Sequence, residues 1–243
     1  MHIPNGLLDP KVSAGAAFAA AGVLGYCISR VRQALSRAVP ASILAGAGNF
    51  AVNISERSKK TISSLAESHL MKMGAVGSLI FSAQMFNFPV AEGTSGHLLG
   101  GILAALCLGP FSGTVVISAV LAVQSIFLGD GGISALGANI FNMAIIGTLL
   151  SYYIYYAVNR IFKGEKGFVA GVMLASFASV FLASAACSFE IVLSGTSELG
   201  RIFPIMAAIH ARIGVAEGLI TLMAVNLLLG IKFGLEGKIT DDQ

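Results

Sequence analysis

Seven apolar runs limit what this chain can fold into more than any other feature. They fall at 12–29, 73–89, 98–109, 112–128, 137–158, 167–193 and 204–231. Bilayer hydrocarbon is about 30 Å thick and takes about 20 apolar residues per helical crossing. Only 11% of the 243 residues are charged and 56% are hydrophobic, against about a quarter charged in soluble domains. A soluble globular fold is therefore excluded. Alternating barrel strands are absent, so the backbone must satisfy itself as helices. The expected fold is an all-α integral membrane protein, a single transmembrane domain over 1–243 with a bundle of about seven helices. Runs three and four are separated by Gly109, Pro110 and Gly113, because proline lacks the N–H that a continuous helix needs.

Orientation follows from the basic residues, which collect on cytoplasmic flanks. With the amino terminus outside, 12 of the 15 Lys and Arg fall in inner segments, leaving Lys11, Arg201 and Arg212. The amino terminus is thus expected outside and the carboxyl terminus in the cytoplasm, in the cell membrane of a prokaryote. Arg30, Arg32 and Arg37 follow the first apolar run, opposite to the charge order of a cleaved signal peptide. His2 is bulky, which disfavours removal of the initiator, so Met1 is expected to remain with a free amine. The three cysteines, Cys27, Cys107 and Cys187, lie in apolar runs without ligand-like spacing and read as small buried hydrophobes.

That topology brings Met1 and His2 to the same outer face as the loop 90–97, which ends in His97. The loops 129–136 and 194–200 join them. A terminal amine, the amide nitrogen of residue two and the Nδ1 of a residue-two histidine can close two fused chelate rings on one divalent cation. A fourth nitrogen from a distant histidine completes the planar nitrogen set that suits Ni(II) or Cu(II). Pro89, Gly93 and Gly96 turn the chain toward His97, and Pro4 and Gly6 let the short segment before the first span fold back between helices.

Five blocks carry a resemblance. They are the opening Met-His-Ile-Pro-Asn-Gly-Leu-Leu, the stretch from Gln84 to Gly101, Gln124 with 128–133, 136–143 and the stretch from His210 to Glu217. In this order they resemble the CbiM/NikM family, the membrane-embedded substrate-binding components of energy-coupling-factor importers for cobalt or nickel. The resemblance implies an ion held by the Met1 amine, the His2 amide nitrogen and imidazole, and the His97 imidazole. It implies seven helices with the amino terminus inserted into the bundle. The partners it implies are a transmembrane coupling protein, a pair of cytoplasmic ATPases and, optionally, a small accessory membrane subunit. Membrane lipid surrounds the chain, and nucleic acid is not a partner. One departure is a long inner loop, 31–72, with a moderately apolar stretch from Val39 to Ile54. Its Gly46, Gly48, Asn49 and Asn53 argue against a crossing.

Other polar residues have two readings each. His210 and Glu217 are two helical turns apart on one face; they form either a pair that orients the metal ligands or a structural pair, and Arg212 is an alternative partner for Glu217. Asn139, Asn142, Gln84 and Asn87 favour hydrogen bonding over ligation, since carboxamides are poor ligands for these ions. Asp130 and Glu92 are outer-loop carboxylates that either attract cations or, the commoner reading, are solvated turn residues, and His69 reads as a solvated residue of the inner loop. The strip Ser13, Ala17, Ala21 and Gly25 suits close helix contact.

Two other functions compete. Ser95 within Gly-Thr-Ser-Gly, with His210 as a base, gives an intramembrane serine protease. A self-sufficient metal channel would instead need a lined pore. No Gly-x-x-x-x-Gly-Lys-Ser/Thr nucleotide loop occurs, so the chain is expected not to be an enzyme, to use no organic cofactor and to take its energy from partner chains.

Overall fold

The computed structural model describes the backbone of residues 1–37 and 51–229, and the side chains of 1–35 and 67–228. Seven helices run through the described residues: α1 (Pro10–Arg37), α2 (Ala51–Gln84), α3 (Gly101–Leu108), α4 (Pro110–Leu128), α5 (Leu136–Ile161), α6 (Gly164–Leu193) and α7 (Leu199–Leu229). Two short strands, β1 (Phe88–Pro89) and β2 (Ser95–Gly96), pair antiparallel between α2 and α3. Five of the helices, α1, α4, α5, α6 and α7, are long and apolar enough to cross a membrane.

Local chemistry sets the helix ends. Asp9 accepts from the Lys11 amide at 2.8 Å, and Pro10 supplies the preset φ of a first helical residue. Between α3 and α4, Gly109 takes φ 83° and Pro110 opens the next helix. The break expected there is present. Large apolar side chains such as Phe18, Phe86, Phe127 and Leu227 point outward, as lipid-facing residues of a multi-pass membrane protein do.

The segment read as an inner loop over 31–72 is helical at both ends. The helix α1 continues to Arg37, and α2 begins at Ala51. Apolar runs mark where a helix meets lipid, whereas Ala-, Glu-, Lys- and Arg-rich flanks can extend it into water. The stretch from Val39 to Ile54 lies largely outside the described residues, as does the end of the chain, 230–243. His69 is not solvated: its Nε2 meets Ser112 Oγ at 3.0 Å. This contact and the Arg30 guanidinium 5.3 Å over the Phe111 ring tie the ends of α1 and α2 to the α3–α4 turn.

The third apolar run does not cross as a helix. Its eight helical residues cover about 12 Å, at 1.5 Å each. The rest of the passage, from His97 to Gly100, is non-helical backbone. Non-helical backbone inside a membrane protein must find partners among buried protein groups. Here Glu217 of α7 accepts from the Leu99 amide at 2.5 Å and the Gly100 amide at 3.1 Å, and Gln84 of α2 donates to the Leu99 carbonyl at 2.7 Å. His97 therefore sits well within the bundle.

A candidate metal centre at the inserted terminus

The first three residues are as buried as any core side chains. Met1 and Ile3 are 0% exposed and His2 is 3%. Residues on three later segments hold them in place. Ile3 donates its amide to Asn139 Oδ1 at 2.9 Å and accepts from Asn139 Nδ2 at 3.2 Å and the Gly132 amide at 2.8 Å. Asn139 thus pairs with the terminal segment like an added strand. The Asn5 side chain accepts from the Ser134 amide and hydroxyl, both at 3.0 Å, and the Leu7 carbonyl accepts from Thr196. At Gly132 the backbones touch: a Cβ there would lie 2.3 Å from the Asn5 amide nitrogen.

This seating brings the proposed ligands together. The Met1 amine donates to the Ser95 carbonyl, and the His2 amide approaches Ser95 Oγ at 3.4 Å. The imidazoles of His2 and His97 meet edge to face, their ring centres 4.6 Å apart at 82°. His97 presents Nδ1 to the Leu98 carbonyl at 2.7 Å, which places the ring proton on Nδ1 and leaves the Nε2 lone pair free. That Nε2 is buried without a hydrogen-bond partner, and so is the Nε2 of His2, whereas His2 Nδ1 faces the Asp130 carboxylate at 3.1 Å. Buried polar atoms are normally satisfied, so two lone nitrogens beside a terminal amine call for an account that a bound cation would supply.

Electrostatics point the same way. Burial pushes the Met1 amine down to about 5, with smaller opposing contributions from Cys187 and Asp130. The amine is then neutral at physiological pH and offers a lone pair. Burial above all pushes His97 well below the ordinary histidine range. Among the described residues no three His, Cys, Asp or Glu side chains cluster as a metal cage.

A pH dependence follows. A released terminus titrates at 8.0 and the seated one at about 5. Between these values release takes up a proton, so seating is fully stable above pH 8 and weakens as pH falls toward 5. Metal-free protein is expected to lose thermal stability over that window with a slope of up to one proton. Nα-acetylated protein, which has no amine to titrate, lacks that slope.

The model of the family described as the cobalt uptake substrate-specific transmembrane region, CbiM, matches residues 50–234. The chain belongs to the CbiM family. Among similar proteins, a putative fused nickel transport protein of Archaeoglobus fulgidus is 34% identical over 94% of this chain. This chain spans 65% of that protein's length. A putative metal transport protein of Haloquadratum walsbyi is 31% identical, covering 91% of this chain and 86% of its own. A crystal structure of a truncated transition-metal transporter superposes with a TM-score of 0.74 at 26% identity, covering 95% of this chain and 99% of that one.

Within this CbiM-family chain, several residues take roles that differ from their sequence reading. Asp130 is not a solvated loop carboxylate: Oδ1 lies 3.1 Å from His2 Nδ1, and Oδ2 accepts from Asn87 at 2.8 Å. Partial burial disfavours its charge, yet His2, Asn87 and the terminal amine outweigh that and hold its carboxyl below the usual range. The only sequence signal for it was a loop placed on the same outer face. Glu92 pairs with Arg201 at 3.6 Å and accepts from Ser197. His210 and Glu217 do not pair with each other. His210 Nδ1 meets the Met206 carbonyl at 2.8 Å, whereas Glu217 holds the backbone after His97. Arg212 is exposed and Glu217 only 2% exposed, so Arg212 does not neutralise it. Asn142 donates to Glu190 at 2.6 Å, a pair that separate sequence positions do not announce. Ala17, from the small-residue strip of α1, contacts Gly137 of α5 inside the bundle.

Proposed function

We propose that this chain binds a divalent nickel or cobalt ion from the outer side through the Met1 amine, the His2 amide nitrogen and imidazole, and His97 Nε2. The observation that carries this is the edge-to-face meeting of His2 and His97, with buried unpartnered ring nitrogens, beside a chain terminus kept neutral. Binding must displace the proton of the His2 amide, so affinity rises with pH. Asp130, beside His2 and partly exposed, is the carboxylate nearest the incoming cation.

The chain serves as the substrate-specific subunit of an ATP-driven importer, with its amino terminus outside. A transmembrane coupling protein and a cytoplasmic ATPase pair supply the energy, with a small accessory membrane subunit as an optional member. Family membership and the nickel and metal transport names of the relatives support this assignment. The protease alternative loses support because Ser95 Oγ lies against the chain terminus, 3.5 Å from the Met1 amine and 3.4 Å from the His2 amide. Uptake that needs no ATPase would instead favour a channel.

The decisive test is Ni(II) and Co(II) binding by purified full-length protein with its native terminus, verified by mass. His97→Ala removes one of four donors and is expected to weaken binding by about 100-fold, at the upper end of what even outer-shell changes cost, with helical content unchanged. Equal affinity in parent and variant would overturn the assignment. Ser95→Ala is expected to keep most of the affinity.

A further inference from the structure

Two side chains from different helices grip one peptide two residues beyond His97. Glu217, in the middle of α7, takes both amides of Leu99 and Gly100 on its two carboxylate oxygens, at 2.5 and 3.1 Å. Gln84, at the last turn of α2, donates to the carbonyl of the same Leu99 at 2.7 Å. The amide and the carbonyl of Leu99 are thus each held by a side chain from a different helix. Both are almost fully buried, Gln84 at 1% and Glu217 at 2% exposure.

Simple structural glue leaves two features unexplained. A buried carboxylate in a membrane helix is costly and is seldom kept without a task; a serine or asparagine would cap a short helix more cheaply. Moreover, α3 has no side-chain cap of its own, and its N-cap Gly100 adopts φ 75°, so the geometry of the stretch 98–100 depends on Glu217 and Gln84. His97 Nδ1 bonds the Leu98 carbonyl, which ties the ring's direction to the same stretch. Beside the grip lies a cavity of about 100 Å³, lined by Ile80, Gln84, Leu99, Gly100, Glu217 and Thr221. The peptide has room to shift.

We propose that Glu217 and Gln84 are positioning residues that orient His97 Nε2 toward the metal, and that relative movement of α2 and α7, which both line that cavity, withdraws it. The proposal rests on the metal reading above. It supplies what a deep, tight chelate requires for transport: a mechanical route by which helix motion loosens one donor while the three donors of the terminus stay seated. A planar site with one donor withdrawn exchanges its ion far faster than one with four.

Glu217→Gln keeps the shape but turns one acceptor into a donor facing the Gly100 amide. Gln84→Leu removes the other half of the grip from a different helix. In full-length protein in nanodiscs, each is expected to raise the Ni(II) dissociation rate about 10- to 100-fold, the usual scale for groups that orient metal ligands. The ligand-field band of the bound Ni(II) shifts to lower energy as His97 is replaced by water. The double variant falls short of the product of the two effects, because both act on one peptide. A merely structural role lowers the melting temperature but leaves band and dissociation rate within twofold of the parent, and that result overturns the proposal. If Glu217→Gln does not fold, Gln84→Leu alone decides in the same way. His97→Ala and a one-residue amino-terminal extension are run alongside. If they too leave Ni(II) binding unchanged, the metal reading itself has failed; if they abolish it while the grip variants match the parent, only the positioning role has.

Discussion

One additional residue ahead of Met1 is expected to lower the affinity of the full chain for Ni(II) and Co(II) by at least about a thousandfold, about 4 kcal/mol. Every side chain survives this change. The amine of Met1 becomes a planar amide nitrogen, and the new amine lies one Cα step, about 3.8 Å, further on. Met1 is 0% exposed and its nitrogen already touches Ser95, so the extra residue has no place inside the bundle. The fused rings cannot close, and the terminus must leave its seat. Competition with a chromophoric chelator measures the loss. An extended protein that binds as tightly as the native one would remove the terminal amine from the donor set.

A substitution far from any ligand is expected to do almost as much. Gly132→Ala places a Cβ 2.3 Å from the Asn5 amide nitrogen and 2.6 Å from the Pro4 carbonyl carbon. Both are backbone atoms of the inserted segment and neither can swing aside. The segment must retreat, taking three of the four nitrogen donors with it, whereas His97→Ala removes one. Gly132→Ala is therefore expected to bind Ni(II) more weakly than His97→Ala while the transmembrane helices stay folded. Helical content by circular dichroism, measured beside affinity, checks both halves. An alanine variant with parental affinity would show that residues 1–5 can seat differently.

The seven apolar runs and the Gly109–Pro110 break are legible in sequence because lipid and proline impose local rules. That Met1, His2 and His97 come together is legible because chelate chemistry restricts which nitrogens can share a plane. The remaining polar groups are not. Nothing near Glu217 in the chain signals that its partners are amides 117 and 118 residues away, since backbone acceptors and donors exist at every position. Two turns of helix made His210 the obvious neighbour, and the two residues nevertheless do different jobs. Asp130 was read as solvated because a loop carboxylate between glycines usually is; its contact with His2 exists only once the terminus has threaded inward. The inner loop was overestimated for the converse reason: hydropathy stops where lipid stops, but α1 and α2 do not.

Because Ile3 is clasped by Asn139 and Gly132, and His2 leans on His97 and Asp130, the segment 1–3 has no home until residues past the midpoint have been threaded and packed. The opening tripeptide must wait in water while its receptacle is assembled, then insert as the closing act of maturation. Premature capture of that waiting end, by an affinity tag or by an acetylating enzyme, would yield a packed bundle that, on the proposed reading, cannot be charged with an ion.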